Sequence, residues 1–193
     1  MPSRTDATAS RRQELVEAAF NAIASRGFEG LRTRDVAAAA GVNVATLHYY
    51  FPTKESLIRG VLELAMNRFR STLEPHGSPS VQLRNHLRSV RRLMAEQPEL
   101  GVVMGELALR SSRDPAIARI YNEMRDAWQT TMRALLRRGV QEGGLAPDLD
   151  SEGVATLVIA VLTALTIPPL RDNPRGDQAL RQLERFLGLS SSR

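Results

Sequence analysis

Apolar residues recur three and four positions apart along nearly the whole chain, and no segment shows a sustained period-two alternation. That pattern argues against sheet architectures and predicts an all-α fold of about nine helices. Capping residues, glycines and prolines set the boundaries. Ser10 is placed to cap a first helix carrying Leu15, Ala18, Ala19 and Ile23 on one face, with Gly27 closing it. Thr33 is placed to cap a short helix, Arg34 to Ala40, that stops at Gly41. A second short helix, Val44 to Tyr50, follows Asn43 and ends before Pro52, and Thr53 opens a longer one with Leu57, Val61, Leu64 and Ala65.

The stretch Glu74-Pro75-His76-Gly77-Ser78-Pro79 reads as a loop and is the best candidate boundary between two units. Beyond it come an arginine-rich amphipathic helix from Val81 to Glu96 and a helix opened by Pro98 that runs to about Arg110. A long helix then starts at Asp114-Pro115 and reaches Gly143-Gly144. Asp150 opens a helix, Val154 to Ile167, that is apolar all round and closed by Pro168-Pro169. A last helix, Gln178 to Leu187, carries one stripe of Leu180, Leu183 and Leu187 and precedes a serine-rich tail, Ser190 to Arg193.

Composition narrows the function. The chain has no cysteine, which removes disulfides, thiolate metal sites and a cysteine nucleophile. No apolar run reaches the roughly 18 residues of a membrane span, and the first residues are not signal-like, so a soluble, cytoplasmic protein is expected. The net charge of +5 suits a nucleic-acid partner or an anionic membrane. Lys54 is the only lysine among the 26 basic residues, a bias that a GC-rich genome also produces.

The most informative segment is Thr33 to Phe51, TRDVAAAAGVNVATLHYYF. Two short helices joined at a glycine are what a helix-turn-helix requires. Val36, Ala37 and Ala40 share a face of the first helix, Gly41 permits the positive φ of a tight turn, and Val42 and Leu47 close the hairpin core. The outward face of the second helix is then Val44, Ala45, His48 and Tyr49, flanked by Thr46 and Tyr50. No acidic residue lies between Asn43 and Lys54, so this face can enter the negative major groove without repulsion. Thr33, Thr46, Tyr49 and Lys54 place phosphate donors around the hairpin. An ordinary helical hairpin inside a bundle is the competing interpretation.

From Leu15 to Leu62 the chain resembles the DNA-binding domain of the TetR family of bacterial transcriptional regulators. The residues carrying the resemblance are Leu15, Ala18-Ala19, Gly27-Phe28, Thr33, Val36-Ala37, Ala40-Gly41-Val42, Thr46-Leu47, Tyr50-Phe51, Lys54 and Leu57. The resemblance implies a homodimer that binds a palindromic DNA operator, usually as a repressor, and is released by a small-molecule effector. It divides the chain into residues 1–53, the helix-turn-helix DNA-binding domain, and 54–193, the effector-binding and dimerisation domain. By position, Thr33 would hold a phosphate, and Arg34 stands where some members read a guanine. Asn43, Val44 and Ala45 would lie nearest the base edges. Thr46, Tyr49 and Tyr50 would meet phosphates or thymine methyls, and Lys54 would clamp a phosphate. Ala45 and His48 depart from the frequent glycine and tyrosine of the pattern, which affects the operator contacts and not the binding mode.

In the second unit, Val154, Val158, Val161, Leu162 and Leu165, with Leu180, Leu183 and Leu187, are the expected dimer surface, since an all-apolar helix needs cover on its outer side. Met124, Trp128 and Met132 share one helix face, and Met94 and Met104 lie on the two preceding helices; such residues line adaptable apolar sites or form plain core. Glu106, Thr156 and Thr163 are the polar groups available to orient an effector there, or else an ion-paired carboxylate and hydroxyls bonded to their own helix. The three histidines match no catalytic or metal motif, so neither an enzyme, a cofactor nor a metal is expected. The reading is a ligand-responsive transcriptional regulator; the alternative is a helical protein–protein adaptor that keeps the helix-turn-helix without reading DNA.

Overall fold

The computed structural model describes residues 4–167 and 173–189. Among them are nine α-helices and one 3-10 turn, Phe28–Gly30, with no strand. The helices are α1 (Arg4–Arg26), α2 (Thr33–Ala39), α3 (Val44–Tyr50), α4 (Lys54–Arg70), α5 (Pro79–Glu96), α6 (Pro98–Ser111), α7 (Pro115–Gln141), α8 (Ser151–Ala164) and α9 (Pro174–Phe186). None is long and apolar enough to cross a membrane.

Several boundaries move from their expected places, each for a local reason. Helix α1 begins at Arg4, so Ser10 is interior and its hydroxyl donates to Glu14 one turn on (3.3 Å) instead of capping. Thr33 is the first residue of α2, and the cap position falls to Arg32, which supplies no side-chain bond. Helix α5 starts at Pro79, after a Ser78 cap. Asp150 caps α8 through the Glu152 N–H at 3.0 Å, so the helix opens at Ser151 and not at Val154. Helix α9 starts at Pro174 because Asn173 accepts the Arg175 N–H at 2.9 Å. That cap-then-proline signal precedes the leucine stripe and is invisible to periodicity alone. The closing Pro168-Pro169 and the Ser190–Arg193 tail lie outside the described residues.

By packing, the chain forms two units: residues to Met66 with Val102–Tyr121, and Asn67–Gly101 with Asn122 onward. In the first, Leu15, Phe20 and Ile23 of α1 are buried with Val36 and Ala37 of α2, Leu47 of α3 and Leu57 and Val61 of α4. Val103 and Leu107 of α6 complete that core. In the second, Leu83, Leu87 and Val90 of α5, Met132 and Leu136 of α7, and Val158 and Leu162 of α8 are buried. There Arg88 of α5 makes a bidentate pair with Glu184 of α9, at 2.9 and 2.8 Å, and Arg91 meets Asp177 at 2.5 Å. The packing groups Lys54–Met66 of α4 and Val102–Tyr121 with the N-terminal helices.

Candidate functional site

The hairpin of α2 and α3 is built as its sequence requires. Val36 and Ala37 bury the inner face of α2, and the chain turns at Gly41, whose φ of 67° is strained for any residue with a Cβ. The Val42 N–H donates back to the Ala37 carbonyl at 2.9 Å and completes the turn. Asn43 then caps α3: its Oδ1 accepts the Thr46 N–H at 2.8 Å and the Thr46 hydroxyl at 3.0 Å. Of the seven residues of α3 only Leu47 is buried, and Phe51, just past its end, anchors the exit. A short helix held by one residue inside and capped at its start presents the rest of its surface outward.

The expected DNA contacts fall on that surface. Arg34, Asn43, Ala45, His48, Tyr49 and Lys54 are exposed, and Thr33, Val44, Thr46 and Tyr50 are half-buried. Tyr49 is 78% exposed and packs edge-to-face against Tyr50, with ring centroids 5.2 Å apart. An aromatic ring this exposed contributes little to its own fold and is available to a partner. Lys54, the first residue of α4, holds its Nζ 4.6 Å from the centroid of the Phe28 ring.

The expected effector residues do not gather in one unit. Met104 and Glu106 belong to the first. The Glu106 carboxylate accepts the backbone N–H of Phe28 at 2.9 Å, a partner 78 residues away that its apolar neighbours in sequence do not foretell. Met94 and Met132 are fully buried, and Met124 and Trp128 half-buried, in the second unit. The Thr156 hydroxyl donates to the Glu152 carbonyl at 3.1 Å and accepts Gln129 Nε2 at 2.9 Å, and Thr163 is exposed. Arg133 and then Gln129, both bonded to Glu152, hold that carboxyl below its ordinary value.

Two residues that spacing did not single out stand beside Trp128. Phe69 stacks on its ring at 5.7 Å, and His86 meets it edge-on at 6.3 Å. His86 is buried, and its Nδ1 lies 2.8 Å from the Thr72 hydroxyl oxygen. The same hydroxyl lies 2.6 Å from the Phe69 carbonyl oxygen, to which it can donate. Burial lowers the His86 pKa to about 4, and Nε2 is buried without a hydrogen-bond partner. The signal in sequence was present: His86 lies on the inward face of α5, one residue from Leu87 and three from Leu83.

Of the expected dimer residues, Val158, Leu162, Leu165, Leu180, Leu183 and Leu187 are buried within the single chain, and Val154 and Val161 are half-buried. The opposite face of α8 is the exposed one, with Leu157 at 49% and Ile167, just past its end, at 50%; on α9, Phe186 is 77% exposed.

The family model for bacterial regulatory proteins of the tetR family matches residues 15–61, and that for the tetracyclin repressor-like C-terminal domain matches residues 73–183. The HTH-type transcriptional repressor KstR2 of Mycobacterium tuberculosis is 30% identical over 146 residues, covering 73% of this chain and 72% of its own. Among solved structures, a TetR transcription regulator from Haloarcula marismortui superposes with a TM-score of 0.81 at 20% identity, over 93% of this chain and 97% of its own. The ketosteroid transcriptional regulator KstR2 of Mycobacterium tuberculosis gives 0.62 at 23%, over 92% and 94%.

Proposed function

Because the chain belongs to the TetR family and is a transcriptional regulator, not an enzyme, we propose that it represses transcription as a cytoplasmic homodimer bound to a palindromic operator. The observation that carries the reading is α3: a capped helix with one buried residue, no acidic side chain and an exposed tyrosine. In this reading residues 1–53 form the DNA-binding domain and 54–193 the effector-binding and dimerisation domain. Asn43, Val44 and Ala45 approach the base edges, with His48 beside them. Because Asn43 Oδ1 is committed to the cap, its NH2 is the group that remains to donate to a base. Arg34 reads a guanine or a phosphate, and Thr33, Thr46, Tyr49, Tyr50 and Lys54 position the backbone.

A side chain fully buried in one chain has no surface left for a second. The dimer contact is therefore assigned to the outer face of α8, with Leu157 and Ala160 bordered by Val154 and Val161, together with Ile167 just beyond α8 and Phe186 of α9. The buried leucines beneath hold those two helices in register. The effector is assigned to the second unit, where Trp128 is half-buried against Phe69 and His86 and can accept an apolar molecule on its remaining surface.

The test is binding of the full chain to duplex DNA across a salt series. A regulator loses affinity as salt rises, with a log–log slope of roughly −0.9 per phosphate neutralised. A flat or absent response would favour the adaptor alternative.

A further inference from the structure

We propose that Glu106 and Arg110 of α6 are positioning residues for Lys54, acting through Phe28; the inference rests on the DNA-binding reading above. All four residues belong to the same packed unit. Helix α1 ends at Gly27 with a φ of 69°, and the next N–H, that of Phe28, opens the 3-10 turn. Glu106 Oε2 accepts that N–H at 2.9 Å. The fit is close: a Cβ built at Gly27 would come within 3.2 Å of the same oxygen. One helical turn further along α6, Arg110 places its guanidinium carbon 4.9 Å from the Phe28 ring centroid and its Nη1 3.6 Å from Glu29. Two side chains of one helix therefore fix both the backbone and the ring of Phe28.

Lys54 uses the ring that they fix. It stands at the start of α4, where the helix dipole disfavours a cation, and its long side chain is exposed, so little else gives it a preferred place. The Phe28 ring face, 4.6 Å from Nζ, supplies one. A displacement of the turn would release Lys54 to many rotamers and lower the fraction of molecules that present it to a phosphate. Glu106 touches no DNA in this scheme and acts only by keeping the ring under Lys54 in place.

The experiment is a double-mutant cycle read as affinity of the full chain for a mixed-sequence duplex at low salt. Glu106→Ala is compared with Glu106→Gln, which has the same charge and keeps an oxygen for the Phe28 N–H, so electrostatic gain from losing a carboxylate cancels. Glu106→Gln is expected to bind several-fold more tightly than Glu106→Ala, and this gap is expected to close when Lys54→Ala is added to both. Phe28→Leu, which keeps the apolar contact without the ring, is expected to show the same dependence on Lys54. A gap that persists without Lys54, or no gap at all, would overturn the proposal. Absence of salt-dependent duplex binding by the unsubstituted protein would remove the DNA-binding reading itself, a result distinct from either.

Discussion

The side-chain oxygen of Asn43 accepts both the backbone N–H and the hydroxyl of Thr46, so a single residue fixes the first turn of α3. Helix α3 is too short to be stable alone, and its cap and Leu47 are what hold it. Asn43→Ala is expected to lower stability by about 1 kcal/mol. Asn43→Asp keeps the capping oxygen but places a negative charge in an acid-free segment. It is expected to unfold like the parent yet bind duplex DNA more weakly, as thermal melts and a duplex titration would show. Equal binding by Asn43→Asp would mean that the start of α3 does not approach phosphates.

Tyr49 and Arg34 separate positioning from reading. Tyr49 is exposed on α3, and Tyr49→Ala is expected to weaken binding to every duplex while changing stability by no more than about 0.5 kcal/mol. If Arg34 reads a guanine, Arg34→Ala is expected to cost about 1–3 kcal/mol at one base pair and little elsewhere. A uniform loss across sequences would reduce Arg34 to a phosphate contact.

These positions were legible in the sequence because α3 is short and its turn chemistry is strict. Gly41 and Leu47 each have one role that local rules reveal, whereas the capping of α3 by Asn43 came from the structure. The role of Glu106 was not legible, since its partner is a backbone N–H 78 residues away and no spacing rule spans that distance. The spacing of the α9 leucines marks a stripe, but a stripe does not say which neighbour covers it. Arg88 and Arg91, paired with Glu184 and Asp177, set α5 of the same chain beside α9.

The pair of Arg88 and Glu184 makes its own prediction. Glu184 is almost wholly buried, and its hydrogen bond raises the Arg88 pKa. Arg88→Ala leaves the carboxylate short of partners and is expected to cost about 1–3 kcal/mol. Replacing both residues by apolar ones of similar size is expected to restore much of that loss. Denaturant unfolding of the single and double variants measures both.

His86 predicts an acid sensitivity above that of the carboxylates. Its folded pKa of about 4 lies below the ordinary 6.5, so the unfolded chain binds more protons between those values. The associated stability is present in full above pH 6.5 and is lost as pH falls toward 4, amounting to about 3 kcal/mol. Unfolding measured from pH 7.5 to 5 is expected to show this decline, and His86→Gln to flatten it. An unchanged slope in the variant would assign the decline to other groups.

Leu157 and Phe186 test the assembly. Either residue changed to Glu is expected to yield a folded monomer by sedimentation velocity, because the charge would be enclosed in the contact between copies. A dimer that survives both substitutions would place the contact elsewhere.

The most direct test of the central claim, that α3 reads DNA as part of a symmetric dimer, is selection of the full chain on random duplexes at near-physiological salt. Enrichment of a palindrome is expected, with the preferred half-site lost or altered in Arg34→Ala. Recovery of no common sequence, together with binding that ignores salt, would contradict it.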